Sequence, residues 1–580
     1  MRRAATGADV AWKDWSQDSF EEARREGKLV LLDLTASWCH WCHVMDDTTY
    51  SDPDIARAIN DNFVPIRVDI DRRPDISERY NRGGFPTTAF LSDQGESVWG
   101  ATYIPPKDMK RIIDSILEAK AAGEIDRALE RSRMNYLELP RRSVEGKAAG
   151  TEFLDSIFEE IFSSYDIEYG GFGTEPKFPH PNAIELLLTR YVETKDDELA
   201  DAVVNTLEQM TAGLHDKVDG GIFRYSVTRD WLTPHYEKML ETNIGFLKNL
   251  VHARSIVGGQ GFDVLARDIA RYLITDLRDP KSGGFYGSQD ADEEYYRLPE
   301  TGRRRREAPS VDKTVYAGWN AEASAAFTLA GTVLDDEEIL RAGVSSWTYA
   351  LEHLWNPGNG LARHLARSET YLFEDQVSFF KALVTQLGIS KKDPTIKLAG
   401  ELIRGVNRAF ASADGGFNDI MNGGEAIGEL DTPRRPLIEN SNWALALAQF
   451  GSVVHRQELV DQGRRILNSF TQPEIEAHGV FAAAYLRASW VLGHGIMVVE
   501  IHKEASAKAE PSDFLASVQT LFDPSIVSVT IADDSAEPYA VICSDKGCSK
   551  KIVDPEELMM LLRNIIDGRK PLPEGSGKTP

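Results

Sequence analysis

Hydrophobic positions fall into three regimes along the chain. In the first 120 residues they come as short unbroken runs, KLVLLDLTA (28–36), FVPIRVDID (63–71) and TTAFLSD (87–93), the pattern of strands buried on both faces. A further strand is predicted around ESVWGATY (96–103), a helix broken at Pro53 lies before the second run, and residues 105–120 read as a closing amphipathic helix. From about residue 151 to 490 the spacing is helical. After Trp490 it returns to strands, IMVVEIH (496–502), VSVTIA (527–532) and YAVICS (539–544), alternating with helices at DFLASVQTLF and from Asp554. The expected organisation is an α/β domain over 1–125, a charged linker over 126–150, an all-α domain over 151–490, a small α/β segment over 491–568 and a disordered tail over 569–580.

The helical regime carries a recurrent turn. Gly170-Gly171-Phe172, Gly220-Gly221-Ile222, Gly283-Gly284-Phe285, Gly358-Asn359-Gly360-Leu361, Gly415-Gly416-Phe417 and Gly479-Val480-Phe481 each follow a helical stretch, with first glycines 50, 63, 75, 57 and 64 residues apart. Each interval holds two helices and a loop, so six helical pairs are predicted, closing into an (α/α)6 toroid. The Ala/Leu-rich stretches NAIELLLTRY, EKMLETNIGFLKNLV, NAEASAAFTLAGTVL, DQVSFFKALVTQL and NWALALAQFGSVV are the inner helices. Polar and aromatic residues cluster at their starts, and a shared rim would make them line a pocket. His235, Glu237, Asp290, Asp292, Trp319, Asn320, Asp375 and Asn440 are therefore candidate ligand-binding residues, with Tyr225, Trp231, Tyr286 and Trp319 as stacking faces for a polyhydroxylated ligand. Capping of the helix N-termini accounts equally well for any single Asn, Asp or Glu among them.

The strongest chemical signal is Ser37-Trp38-Cys39-His40-Trp41-Cys42-His43, placed directly after the first strand. At a strand-to-helix junction Cys39 is expected to be an exposed thiol acidified by the helix N-terminus, and Cys42, three residues on, can resolve a mixed disulfide. Asp33, inside the strand, is the candidate base for Cys42. The order strand, Trp-Cys-x-x-Cys, Phe85-Pro86-Thr87 resembles the thioredoxin fold. That resemblance implies that Pro86 sits in the cis-proline loop facing the thiols and that the backbone of Phe85 pairs with an extended client. The same residues spell the haem attachment pattern C-x-x-C-H, and Cys39, Cys42 and a neighbouring His offer a partial zinc set; neither is favoured, and no cofactor or metal is expected.

Composition narrows the partners. The 580 residues carry 65 Lys+Arg against 91 Asp+Glu, a formal charge of -26, which disfavours nucleic acid and anionic membrane. The basic run Arg303–Arg306 reads as a solvated loop. No apolar run approaches a membrane span, and the opening MRRAATGADVAWKDW lacks the apolar core of a signal peptide, so the expected location is the cytoplasm. With four cysteines in all, Cys543 and Cys548 around Ser-Asp-Lys-Gly form either a second redox pair or, by a slight preference, an inert packed one.

Nearly the whole chain resembles the thioredoxin-domain family of spermatogenesis-associated protein 20, also known as domain of unknown function 255. The segments that carry this are SWCHWCHVM, FVPIRVDIDRRPDI, GGFPTTAFLSDQG, PKFPHP, GGIFRYS, DWLTPHYEKML, GGFYGSQDAD and DKTVYAGWN. The resemblance implies a thioredoxin-like domain ahead of a six-hairpin barrel similar to N-acylglucosamine 2-epimerases and glycosidases, with Cys39 and Cys42 as the redox pair. Departures at RLPETGRRRREAP, Glu374-Asp375-Gln376-Val377 and Ile438–Asn442 cluster at the expected barrel mouth. The expected activity is thiol-disulfide exchange with a protein client. The alternatives are a carbohydrate enzyme acting on a sugar-like small molecule and a non-enzymatic scaffold; the sequence leaves the oligomeric state open.

Overall fold

The computed structural model describes residues 9–138, 150–258, 261–391, 393–424, 426–504, 512–533, 537–544 and 547–568. Most of the expected linker's second half and the whole expected tail lie outside these. The chain divides into two compact units.

The first unit holds α1 (Gln17–Glu26), β1 (Leu29–Thr35), α2 (His40–Met45), α3 (Pro53–Asn62), β2 (Phe63–Asp69), α4 (Pro74–Tyr80), β3 (Thr87–Leu91), β4 (Ser97–Ala101), α5 (Pro106–Ala121) and α6 (Glu124–Glu138). Its sheet runs β2-β1-β3-β4, with β1 and β2 parallel and the rest antiparallel. The central strand β1 is buried almost throughout, as its apolar run requires. Pro53 begins α3 rather than breaking a helix: its missing N–H is harmless in the first turn, and the Asp52 carboxylate caps the N–H groups of Asp54 and Ile55. Helix α6 occupies the first half of the stretch expected to be a linker.

Two segments remote in sequence also belong to this unit, Asp290–Asp292 and Asn422–Arg434. Tyr80 ties the second of them in. Its hydroxyl donates to the Gly95 carbonyl (2.7 Å) and accepts from the Glu429 N–H (2.8 Å), while Arg79 donates to the Glu429 carbonyl (2.9 Å).

The second unit is a closed double ring of helices. The outer helices are α7 (Thr151–Ser163), α9 (Asp197–Leu214), α11 (Phe262–Asp276), α15 (Glu337–Tyr349), α17 (Asp393–Ala409) and α19 (Gln457–Asn468); the inner ones are α8 (Pro181–Thr194), α10 (Leu240–Val257), α14 (Ala317–Val333), α16 (Phe373–Ile389), α18 (Leu437–Val453) and α21 (Ala483–His494). Short helices α12 (Glu293–Tyr296), α13 (Glu300–Arg303) and α20 (Gln472–Glu476) sit in the connections. Each inner helix packs on the next and α21 packs back on α8, closing the (α/α)6 toroid. The C-terminal part adds strands Met497–Glu504, Ile526–Asp533, Tyr539–Ser544 and Gly547–Cys548, with helices α22 (Asp513–Gln519) and α23 (Pro555–Asp567). Among the described residues no helix is long and apolar enough to cross a membrane.

The glycine turns have a physical reason. Gly220 and Gly221 both hold positive φ, and a Cβ on Gly221 would lie 2.4 Å from the Tyr272 ring. The residue after the turn is then gripped by a side-chain amide from the fourth position of the following inner helix. Asn243 accepts from the Ile222 N–H and donates to its carbonyl; Asn320 does the same for Phe285, Gln376 for Ala362 and Asn440 for Phe417. Four of the six hairpins share this clamp. Each amide also donates to the carbonyl four residues earlier.

This corrects the assignment of Asn320 and Asn440 to ligand binding. Both are fully buried and both spend their donors and acceptors on backbone, so neither has capacity left for a ligand. Asn440→Ala would leave the Phe417 N–H and carbonyl buried without partners. The expected cost is roughly 3 kcal/mol, read as a lower denaturant midpoint for the barrel.

Candidate functional sites

Strand β1 delivers the chain to Cys39, which is the N-cap of α2, and a π-helical turn (Asp46–Tyr50) continues that helix. Cys39 and Cys42 form a disulfide. The Cys42 N–H points at the Cys39 sulfur at 3.2 Å, the donor that would hold a thiolate once the bond opens. The Phe85–Pro86 peptide is cis, and the Phe85 ring meets the ring of Trp38 edge-on at 6.4 Å, which places this turn beside the thiol pair. Trp38 is fixed by its indole N–H donating to Asp71 (2.6 Å), whereas Trp41 is exposed.

The expectation of an open Cys39 is corrected. The residue is 4% exposed and Cys42 3%. In the oxidised pair each sulfur is turned onto the other, and α2 is crowded: Trp38 is buried, and an Asp290 carboxylate oxygen stands 3.8 Å from His43 Nδ1. The same contact corrects the placement of Asp290 and Asp292, which group with the thiol unit instead of the barrel's helix starts.

Asp33 is 1% exposed. The parallel register sets Arg67 of β2 directly opposite it, and the guanidinium donates to its carboxylate at 2.7 Å. Arg67 also pairs with Asp46 at the end of α2 and lies over the rings of Trp12 (4.2 Å) and Tyr50 (5.5 Å). The Tyr50 hydroxyl reaches both Asp33 (3.3 Å) and Thr88 (2.9 Å). Burial pushes the Asp33 carboxyl up to about 6; Arg67 opposes this and Asp46 adds to it. A carboxylate of that acidity is suited to taking and returning a proton near neutral pH. Sequence reasoning found Asp33 and missed Arg67, Tyr50 and Asp46.

The barrel holds a second site on its own axis. A cavity of about 210 Å³ is lined by Asn182, Glu241, Trp319, Glu322, His364, Glu374, Asp375, Glu439 and Asn442, among others. Of the candidates named from sequence, Trp319 and Asp375 line it; His235 and Glu237 do not. Asp375 is committed, accepting from the Gly318 N–H (2.8 Å) and pairing with His364 (2.9 Å). His235 stacks on Tyr225, which stacks on Phe178, and its Nδ1 lies 3.2 Å from Glu237. Trp231 is fully buried and donates to the Tyr169 carbonyl, so it offers no stacking face.

At mid-depth a polar belt crosses the axis with one residue from each inner helix, the charged Glu185, Lys248, Glu322, Lys381 and Arg487 and the amide Asn442. Lys248 pairs with Glu185 (3.0 Å), Lys381 with Glu322, and Arg487 with Glu185 and Asn442. Glu185, Lys248, Glu322 and Lys381 also wall a second cavity of about 270 Å³, closed by Val518, Phe522, Ile526 and Val527 of the C-terminal part. Above the belt, Glu241 faces the first cavity, and the surrounding protein raises its pKa, with Arg224 opposing and Glu322 reinforcing. Burial acts the same way on Glu322, but Lys381 and Lys248 outweigh it and hold that carboxyl below its usual range. A sequence signal was available for two of the belt residues: Glu322 and Arg487 are each the single Asp, Glu, Lys or Arg of their inner helix.

Comparison with known proteins agrees with the first unit. Residues 2–135 match the family Thioredox_DsbH, described as a protein of unknown function, DUF255. Human spermatogenesis-associated protein 20 is 31% identical over 324 residues, 51% of this chain and 40% of that protein. The chain thus spans about two fifths of the length of the curated relatives it matches over the longest stretch. Thioredoxin-1 of Drosophila melanogaster is 35% identical over 66 residues, 11% of this chain and 59% of that protein. Among solved structures, a sugar epimerase from a ruminal bacterium superposes with a TM-score of 0.44 at 12% identity, covering 54% of this chain and 85% of that one.

Proposed function

From the premise that the N-terminal domain of this chain is a thioredoxin-like domain of the DUF255 family, we propose that the protein is a thiol-disulfide oxidoreductase acting through Cys39 and Cys42. The observation that supports it best is the buried Asp33, held by Arg67 and Tyr50 with a carboxyl pushed up to about 6, on the strand that leads into a bonded Cys-x-x-Cys pair. A redox-dead scaffold has no use for a carboxylate kept in so costly a place.

In the reductive direction the Cys39 thiolate attacks one sulfur of a client disulfide, and the other client sulfur leaves as a thiolate that takes up a proton. Cys42 then gives its proton to Asp33 and attacks the Cys39 sulfur. The second client sulfur leaves with a proton, and the Cys39–Cys42 bond is restored. The exposed Trp41 beside the pair offers an apolar edge for the client chain. The test is catalytic reduction of insulin disulfides under a limiting dithiol. Acceleration over the uncatalysed rate supports the reading, and equal rates contradict it.

A second reading concerns the barrel. The axial cavity pairs two carboxyls shifted in opposite directions, Glu241 raised by its surroundings and Glu322 lowered by two lysines, beside the Trp319 ring. Opposed acidities of this kind suit proton transfer on a polyhydroxylated small molecule. Thermal shift with a panel of neutral hexoses and disaccharides at 50 mM tests it. The expected result is at least one stabilising sugar whose effect is lost in Trp319→Ala, with turnover lost in Glu241→Gln; a flat panel contradicts the reading.

A further inference from the structure

All four cysteines are paired, and both pairs are short: two residues separate Cys39 from Cys42, and four separate Cys543 from Cys548. The second bond joins residues that already face each other across the antiparallel ladder of Tyr539–Ser544 and Gly547–Cys548. A bridge that closes so small a loop between strands already paired removes little freedom from the unfolded chain, so it is a poor staple. Its position suits exchange better. Gly547–Cys548 is the edge strand of the sheet, Cys548 is exposed and Cys543 is 7% exposed. An incoming thiolate therefore meets one sulfur only. Lys550 and Lys551, both exposed, follow Cys548 after Ser549 and put two cations near it in sequence in a protein of net charge -26.

We propose that the Cys543–Cys548 disulfide is a built-in client of the Cys39/Cys42 dithiol, on the same chain or on a second copy. The inference rests on the proposed oxidoreductase reading and names a substrate for it. The Cys39 thiolate attacks the Cys548 sulfur, the 543–548 bond breaks, and Cys543 leaves as a thiolate that takes up a proton. Cys42, losing its proton to Asp33, attacks the Cys39 sulfur, and Cys548 leaves as a thiolate and is then protonated. Two electrons pass from the first pair to the second, and two protons are carried with them.

The test uses the full-length Cys42→Ser variant, in which the mixed disulfide cannot resolve. After incubation, alkylation and digestion without reductant, mass spectrometry should find a peptide pair joined through Cys39 and Cys548, with Cys543 newly alkylated. Mixing isotope-labelled and unlabelled protein distinguishes bonding within a chain from bonding between copies. An intact Cys543–Cys548 bond, in a variant that does trap insulin through Cys39, overturns the inference and leaves the oxidoreductase reading standing. Failure to trap either one overturns both. As a measurement free of that variant, glutathione should open Cys543–Cys548 at least tenfold faster in the wild-type protein than in Cys39→Ser; equal rates overturn the inference.

Discussion

Cys39→Ser is expected to lower the turnover of a protein disulfide by at least about 10³-fold, to the uncatalysed background. The loss is so large because no other group can begin the reaction. Among the described residues there is no free cysteine, and of the bonded pair only Cys39 stands at the N-cap, where its sulfur accepts from the Cys42 N–H. Serine keeps the cap but is a far weaker nucleophile at neutral pH, since its hydroxyl is not ionised. Folding should change little, so the variant separates chemistry from structure. Insulin reduction, followed alongside circular dichroism, checks both. Retained turnover with intact folding would remove Cys39 from the mechanism.

Asp33→Asn is expected to slow turnover by about 10²-fold at pH 7 and to change the pH profile. The carboxylate must be ionised to accept the Cys42 proton, so the wild-type rate should climb as pH rises through about 6 and then level. The amide cannot accept that proton, and the inflection should disappear. The same group acts on stability in the opposite sense. Its folded-state pKa lies above the ordinary carboxylate value, so its contribution is fully present below about pH 4 and is lost as pH rises through about 6. The lost part is at most roughly 3 kcal/mol. Denaturant midpoints of the oxidised protein between pH 4 and 7 should therefore fall more steeply in the wild type than in Asp33→Asn. Parallel lines for the two proteins would mean that Asp33 is charged throughout this range.

The thiol site was legible in the sequence because its pieces are local. A buried strand, the two cysteines at its end and the Phe85-Pro86 turn keep their order along the chain. The partner that sets Asp33's chemistry was not, because Arg67 becomes its neighbour only through the parallel register of β1 and β2. The toroid was legible from its glycine turns, which demand positive φ. The mouth was misread where polar residues at inner-helix starts resembled binding groups: Asn320 and Asn440 are clamps on the preceding turn, bonded to backbone at every polar atom. Conversely, Lys248 and Lys381 of the belt lie more than a turn deeper in their inner helices than the residues that drew attention. Asp290 and Asp292 follow a barrel turn in sequence but are counted with the thiol unit, a tertiary fact that no local pattern carries.

The central claim, that Cys39 and Cys42 form an exchanging pair, is tested most directly by equilibrating the folded protein in graded ratios of reduced to oxidised dithiothreitol. The two thiols are then counted by alkylation and mass spectrometry. The account predicts a reversible two-electron transition completed while the fold persists. A bond that opens only as the domain unfolds would contradict it.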